Sequence, residues 1–182
     1  MGGFTAINTD SGGDYTGKLK TFNVISASQN LSPGDALLAV GTADATGRQD
    51  IDVAGTTGSV TGVLAAVSPQ FIGESFAGTG LASGGSADVQ VHVDPLQLFE
   101  VDVTNGPLVV ANTGLNANMI VTAATSPTGM TISNHSLNAT GVATTATLPW
   151  RIVQLVEGSD GVLGSRALVR MNNSSIKSTT GV

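Results

Sequence analysis

Apolar residues in this chain alternate or run in short blocks, and no stretch repeats them at helical spacing. The clearest case is 87–93, where Val89, Val91 and Val93 face one way and Asp88, Gln90 and His92 the other. That period of two predicts a half-buried strand. Asp94-Pro95 interrupts the ladder, because proline has no N–H to donate. Alternation resumes over 97–103, with Phe99, Val101 and Val103 inward and Leu98, Glu100 and Asp102 outward. Asn105-Gly106 then predicts a turn, and Pro107 leaves 108–111 an edge strand at best.

Further strands are predicted over 18–26 (mixed burial), 36–40, 59–67 (with Gly62 at a bulge) and 119–123. A last hairpin, 151–157 and 166–171, flanks a loop at 158–165. Residues 43–50 and the glycine-rich 72–86 read as loops. The whole predicts an all-β fold: a compact β-sandwich or barrel-like protomer. Residues 1–17 read as an extended N-terminal arm, 18–173 as the β-domain and 174–182 as a polar C-terminal tail. Phe4, Ile7 and Tyr15 are isolated apolar residues in the arm. With Phe22, they are the candidate anchors for docking on a partner or another subunit.

Composition adds constraints. The chain has 182 residues, enough for one domain with a real core. Only 11% of residues are charged, against about 25% in ordinary domains. From 104 to 150 there is no Asp, Glu, Lys or Arg. Such a stretch is either covered by other subunits or a surface made polar by Thr, Asn and Gly. The net charge of −6, with Lys18 and Lys20 as the one basic pair of the first half, argues against nucleic acid as a partner. Absence of cysteine excludes disulfides, thiolate catalysis and Cys-ligated zinc. No signal-peptide pattern opens the chain, and no apolar run reaches membrane-spanning length. A soluble protein made in a cytoplasm is expected.

Little in the chain suggests chemistry. His92 and Asp94 share a strand face, but such neighbours stand about 7 Å apart, too far for a Ser-His-Asp relay. His135 reads as a loop residue, and no Gly-x-Ser-x-Gly elbow occurs. The glycines of 78–84 miss the dinucleotide spacing. Asp44, Asp50 and Asp52 are a candidate cation cluster, with separately solvated charges as the plainer reading. Glu100 and Asp102 share a face, as many solvated pairs do. No enzyme activity, cofactor or metal is expected.

A set of segments, taken in order, resembles the capsid decoration (cement) proteins of tailed bacteriophages. It begins with Gly34-Asp35-Ala36-Leu37-Leu38, Gly41 to Asp44 and Gly62-Val63. It continues through Val91 to Pro95, Phe99-Glu100-Val101, Asn116 to Asn118 and Gly129-Met130. It ends with Ala143 to Pro149 leading into Arg151-Ile152-Val153, then Leu163-Gly164 and Met171-Asn172-Asn173. The likeness spans about residues 32–173 and departs at 127–141, where this chain is longer and richer in Asn and Ser. It implies a structural virion protein on the capsid exterior, a homotrimer that contacts the major capsid protein and stabilises the expanded head. The alternative is a phage head-fibre or adhesin-like β-domain that binds host-surface glycan. For that role only Tyr15 and Trp150 could supply an aromatic platform.

Overall fold

A computed structural model describes residues 2–9, 18–68, 70–72, 75–125 and 132–177. The expected all-β class holds: thirteen strands and two short 3-10 turns make up the regular structure of these residues. The strands are β1 (Thr5–Thr9), β2 (Leu19–Val24), β3 (Ala36–Ala43), β4 (Gln49–Val53), β5 (Gly62–Val67), β6 (Gln70–Ile72) and β7 (Ser75–Gly78). They continue with β8 (Ala87–His92), β9 (Gln97–Thr104), β10 (Asn116–Ile120), β11 (Ser136–Ala143), β12 (Trp150–Glu157) and β13 (Leu163–Met171). No helix among the described residues is long and apolar enough to cross a membrane.

Strands β2-β4-β3-β5-β8 close into one barrel, and β6–β7 form a separate hairpin. The other sheet runs β1-β9-β11-β10-β12-β13, and an extra β9–β13 pairing closes five of its strands into a second ring. Asp94, Pro95 and Leu96 carry the chain from the first barrel to the second. The Asp94 carboxylate accepts the Leu96 N–H at 2.9 Å, so the predicted interruption of the ladder is where the chain changes barrels.

The apolar runs of β3 and β5 follow from this arrangement. Successive strand residues point to opposite faces. Ala36 and Val63 therefore enter the core of the second barrel, while Leu37 and Leu64 enter that of the first. These two strands form a wall shared by both cores, and a strand buried on both faces needs continuous apolar sequence rather than alternation. The β8 and β9 patterns match expectation: Val89, Val91, Phe99 and Val101 are buried, whereas Gln90 is exposed.

Several local expectations need correction. Residues 5–9 do not project as an arm; they form β1, which pairs antiparallel with β9, Thr5 opposite Glu100 and Ala6 opposite Phe99. Gly62 is not a bulge. A Cβ there would lie 2.2 Å from the His92 carbonyl oxygen, so glycine is needed for close approach of β5 to β8. The register break falls between Leu64 and Ala66 instead. Residues Val110–Asn112 form a 3-10 turn rather than an edge strand. Part of the glycine-rich loop forms the β6–β7 hairpin. The strand expected over 119–123 lies earlier, as β10. The start of the expected C-terminal tail is tied down: Ser174 bridges to Val60, and the Ser175 and Thr61 hydroxyls meet at 2.7 Å.

Candidate functional site

Four side chains were expected to dock on a partner. Phe4 is 2% exposed and stacks on Trp150 with ring centroids 4.1 Å apart. Phe99 meets the same indole edge-on at 5.8 Å, and the indole N–H points at the Met119 sulfur. Offset stacking and edge-to-face contact are the favoured aromatic geometries, so Phe4 closes its own core and is not free to dock. Phe22 is likewise corrected: it is buried in the core of the first barrel. Ile7 is 37% exposed on β1. Tyr15 lies outside the described residues.

The segment before β1 is held by a polar cluster that sequence reading did not identify. Gly3 donates its N–H to the His135 carbonyl at 3.1 Å, and Phe4 donates to the Gly34 carbonyl at 2.9 Å. Gly3 has φ +75°, and a Cβ there would lie 2.2 Å from that of Ser133, so only glycine threads this slot. Beneath it, Asp35 and His135 are both fully buried, Oδ1 to Nε2 at 3.5 Å. Asp35 Oδ2 accepts the Ser32 N–H at 2.8 Å. The Ala36 N–H donates to His135 Nδ1 at 3.2 Å, so in the neutral ring the proton sits on Nε2, towards Asp35.

Burial pushes the Asp35 carboxyl up to about 6, against the opposing hydrogen bonds from Ser133 and Ser32. It also pushes His135 down to about 4. Serine, histidine and aspartate thus meet, but in the wrong order for a relay. A triad needs the carboxylate on one imidazole nitrogen and the nucleophile on the other. Here the Ser133 hydroxyl oxygen accepts the His135 backbone N–H at 3.0 Å, and the Ala36 backbone amide occupies the second ring nitrogen. With no solvent access to either ring or carboxylate, the cluster works as a latch. It joins the N-terminal segment, the turn before β3 and the approach to β11.

The other candidates are dispersed. His92 is half-buried edge-on to Phe99, and burial lowers its pKa. Its sequence neighbour Asp94 pairs instead with Lys18 at 3.6 Å. Asp44 caps its own turn and binds Arg48. Asp50 accepts from Asn23, and Asp52 from Ser28. The three carboxylates therefore have separate partners, and among the described residues no three His, Asp or Glu side chains gather in metal-binding geometry. Glu100 and Asp102 both face the Arg166 guanidinium. Leu81, in the glycine-rich 78–84, exchanges two backbone hydrogen bonds with Leu31 and is buried.

Two concavities occur among the described residues. One, of about 330 Å³, lies among Asp102, Asp160, Ser165 and Arg166. The other, of about 400 Å³, runs between Phe4, Ala6, Leu64 and His92, where β1 faces the shared wall. In the first, the Ser165 hydroxyl donates to the Asp160 carboxylate at 2.8 Å as part of the β12–β13 turn. No protein-family model, curated protein or solved structure matches the chain.

Proposed function

We propose that this chain is a capsid decoration protein of a tailed bacteriophage. It binds as a homotrimer on the outer shell, holds neighbouring major capsid proteins together and stabilises the expanded head. The observation that carries the reading is the ordered set of segments described above, from Gly34-Asp35 to Met171-Asn172-Asn173. Several of those segments lie at structural joints of the fold: the turn into β3, the crossing at Asp94-Pro95, the Phe99 core strand and the entry to β12; Gly129-Met130 lies outside the described residues. A protein that acts by binding needs a stiff body and outward faces rather than a reaction site, which suits two barrels sharing a wall. The work is thermodynamic: a cement protein lowers the free energy of the expanded shell only if it binds that form better than the unexpanded one. Several modest contacts from one trimer add through multivalency.

The glycan-binding alternative has less support. Trp150, one of its two aromatic platforms, is fully buried. Co-sedimentation of the full chain with expanded and with unexpanded capsid shells of the virus that encodes it tests the proposal. The expected result is pelleting with expanded shells and greater heat resistance of the decorated shells. Equal pelleting with both forms, or with neither, sinks it. Retention on host-surface polysaccharide instead would favour the alternative.

A further inference from the structure

The two barrels differ in charge. Residues 1–96 hold three basic and nine acidic side chains, whereas residues 97–182 hold four of each. Asp10, Asp14 and Glu74 lie outside the described residues; residues 18–96 of the described chain hold three basic and six acidic side chains, so the first barrel carries a net charge of −3 and the second none. Two copies that met through their first barrels would bring like charges together, and such juxtaposition disfavours a contact. Meeting through the second barrels carries no such penalty.

The second barrel also exposes an apolar patch. Val109 and Val110 are 59% and 74% exposed, and Val162 and Leu163 are 43% and 50% exposed. They lie on two adjoining segments, the entry to the 3-10 turn and the start of β13, pinned together by the Leu108 N–H to Gly164 carbonyl bond of 3.0 Å, each one or two residues from it. Gly164 makes the approach possible: at φ +88°, a Cβ would lie 2.1 Å from the Leu108 carbonyl oxygen. Leu108 is buried beneath, so the two segments have a fixed base. Of the two carboxylates of this hairpin end, Asp160 is turned back onto the Val162 N–H at 3.1 Å and the Ser165 hydroxyl at 2.8 Å, and Glu157 stands opposite Leu163 at the patch margin. Four neighbouring exposed aliphatic side chains are not what an isolated soluble domain places there.

We infer that this patch is the face through which copies of the chain associate, with a second copy as its occupant. The inference deepens the capsid-decoration reading and rests on it for the copy number of three. It assigns subunit contact to the neutral end of the second barrel and leaves the acidic first barrel outside that contact.

Light scattering on a sizing column tests this with the full chain. The wild type is expected at about three times 18.1 kDa, and both Val110→Asp and Leu163→Asp at 18.1 kDa. Circular dichroism and Trp150 fluorescence should be unchanged in both, since both side chains are exposed. Ile25→Asp, an exposed change on the first barrel, should keep the wild-type mass. Wild-type mass in both patch variants overturns the face assignment and leaves the capsid reading standing, as does a monomeric wild type that still pellets with expanded shells. An oligomer broken by both variants that binds no shell supports the face and sinks the capsid reading.

Discussion

The two barrels are built from similar strands but are stabilised differently. Among the described residues, the core of the first holds one aromatic ring, Phe22, among Val, Leu, Ile and Ala. The second holds Phe4, Phe99 and Trp150, with the indole in contact with both phenyl rings. The first carries a net charge of −3 on its described residues and a surface network in which Arg48 joins Asp44 to Asp88. The second is neutral and ends in exposed aliphatic side chains. The contrast is between a solvated half and a half with large core residues and an uncovered patch. The shared wall makes them one cooperative object, since Ala36, Ala54, Val60 and Val63 are strand or loop residues of the first barrel inside the core of the second.

That cooperativity can be broken by experiment. Trp150→Ala removes the central ring of the aromatic trio and should cost about 4 kcal/mol; Phe22→Ala, in the smaller core, about 3 kcal/mol. Both should lower one common urea transition followed by circular dichroism. Two separate transitions, with Trp150→Ala shifting only one, would mean that the barrels unfold independently and that the wall does not couple them.

The wall itself is tested at Gly62. A methyl group there meets the His92 carbonyl oxygen at 2.2 Å and Val91 Cγ1 at 2.6 Å, and backbone cannot step aside as a side-chain end can. Gly62→Ala should cost about 3 kcal/mol through overpacking. Gly47→Ala is the comparison: with φ +80° and nothing within 4 Å, it carries only local backbone strain, about 1 kcal/mol. Equal midpoint losses for the two in the same urea titration would show that β5 and β8 relax apart, and that the close approach is not required.

Strands with one apolar face were legible in the sequence. β8, β9 and β13 were expected nearly where they occur because their apolar residues alternate, and β12 because it is an apolar run. β1 and β11 were not. Thr5–Thr9 and Ser136–Ala143 are rich in Thr, Asn, Ser and Gly, which read as loop. They are strands because neighbours supply the pairing: β9 for β1, and β9 and β10 for β11. The two-barrel division was hidden for a related reason. β1 precedes the first barrel in sequence but belongs to the second, and no local pattern reports such a return. Phe4 looked like a free anchor because its partner Trp150 stands at the far end of the chain. The Asp35–His135 latch left no signature either, since its members sit in two turns with ordinary turn composition.

The latch offers the finest test, because its two groups titrate in opposite senses at the junction of the barrels. Asp35 has a folded value of about 6 against an ordinary 3.8, so the folded state binds more protons between these limits and stability falls as pH rises through them. His135 has a folded value of about 4 against an ordinary 6.5, so the folded state binds fewer protons and stability rises with pH over that window. Burial is the leading cause of both shifts, so each should survive removal of the other group. In the wild type the two slopes oppose each other and nearly cancel between pH 4 and 6. His135→Gln should expose the falling slope and Asp35→Asn the rising one, each on the order of 2 kcal/mol across the window relative to the wild type. Urea midpoints at half-unit pH steps measure this. Parallel pH profiles for the three proteins would mean that the pair is solvated rather than sealed, and that the junction beneath Gly3 and Phe4 opens in solution.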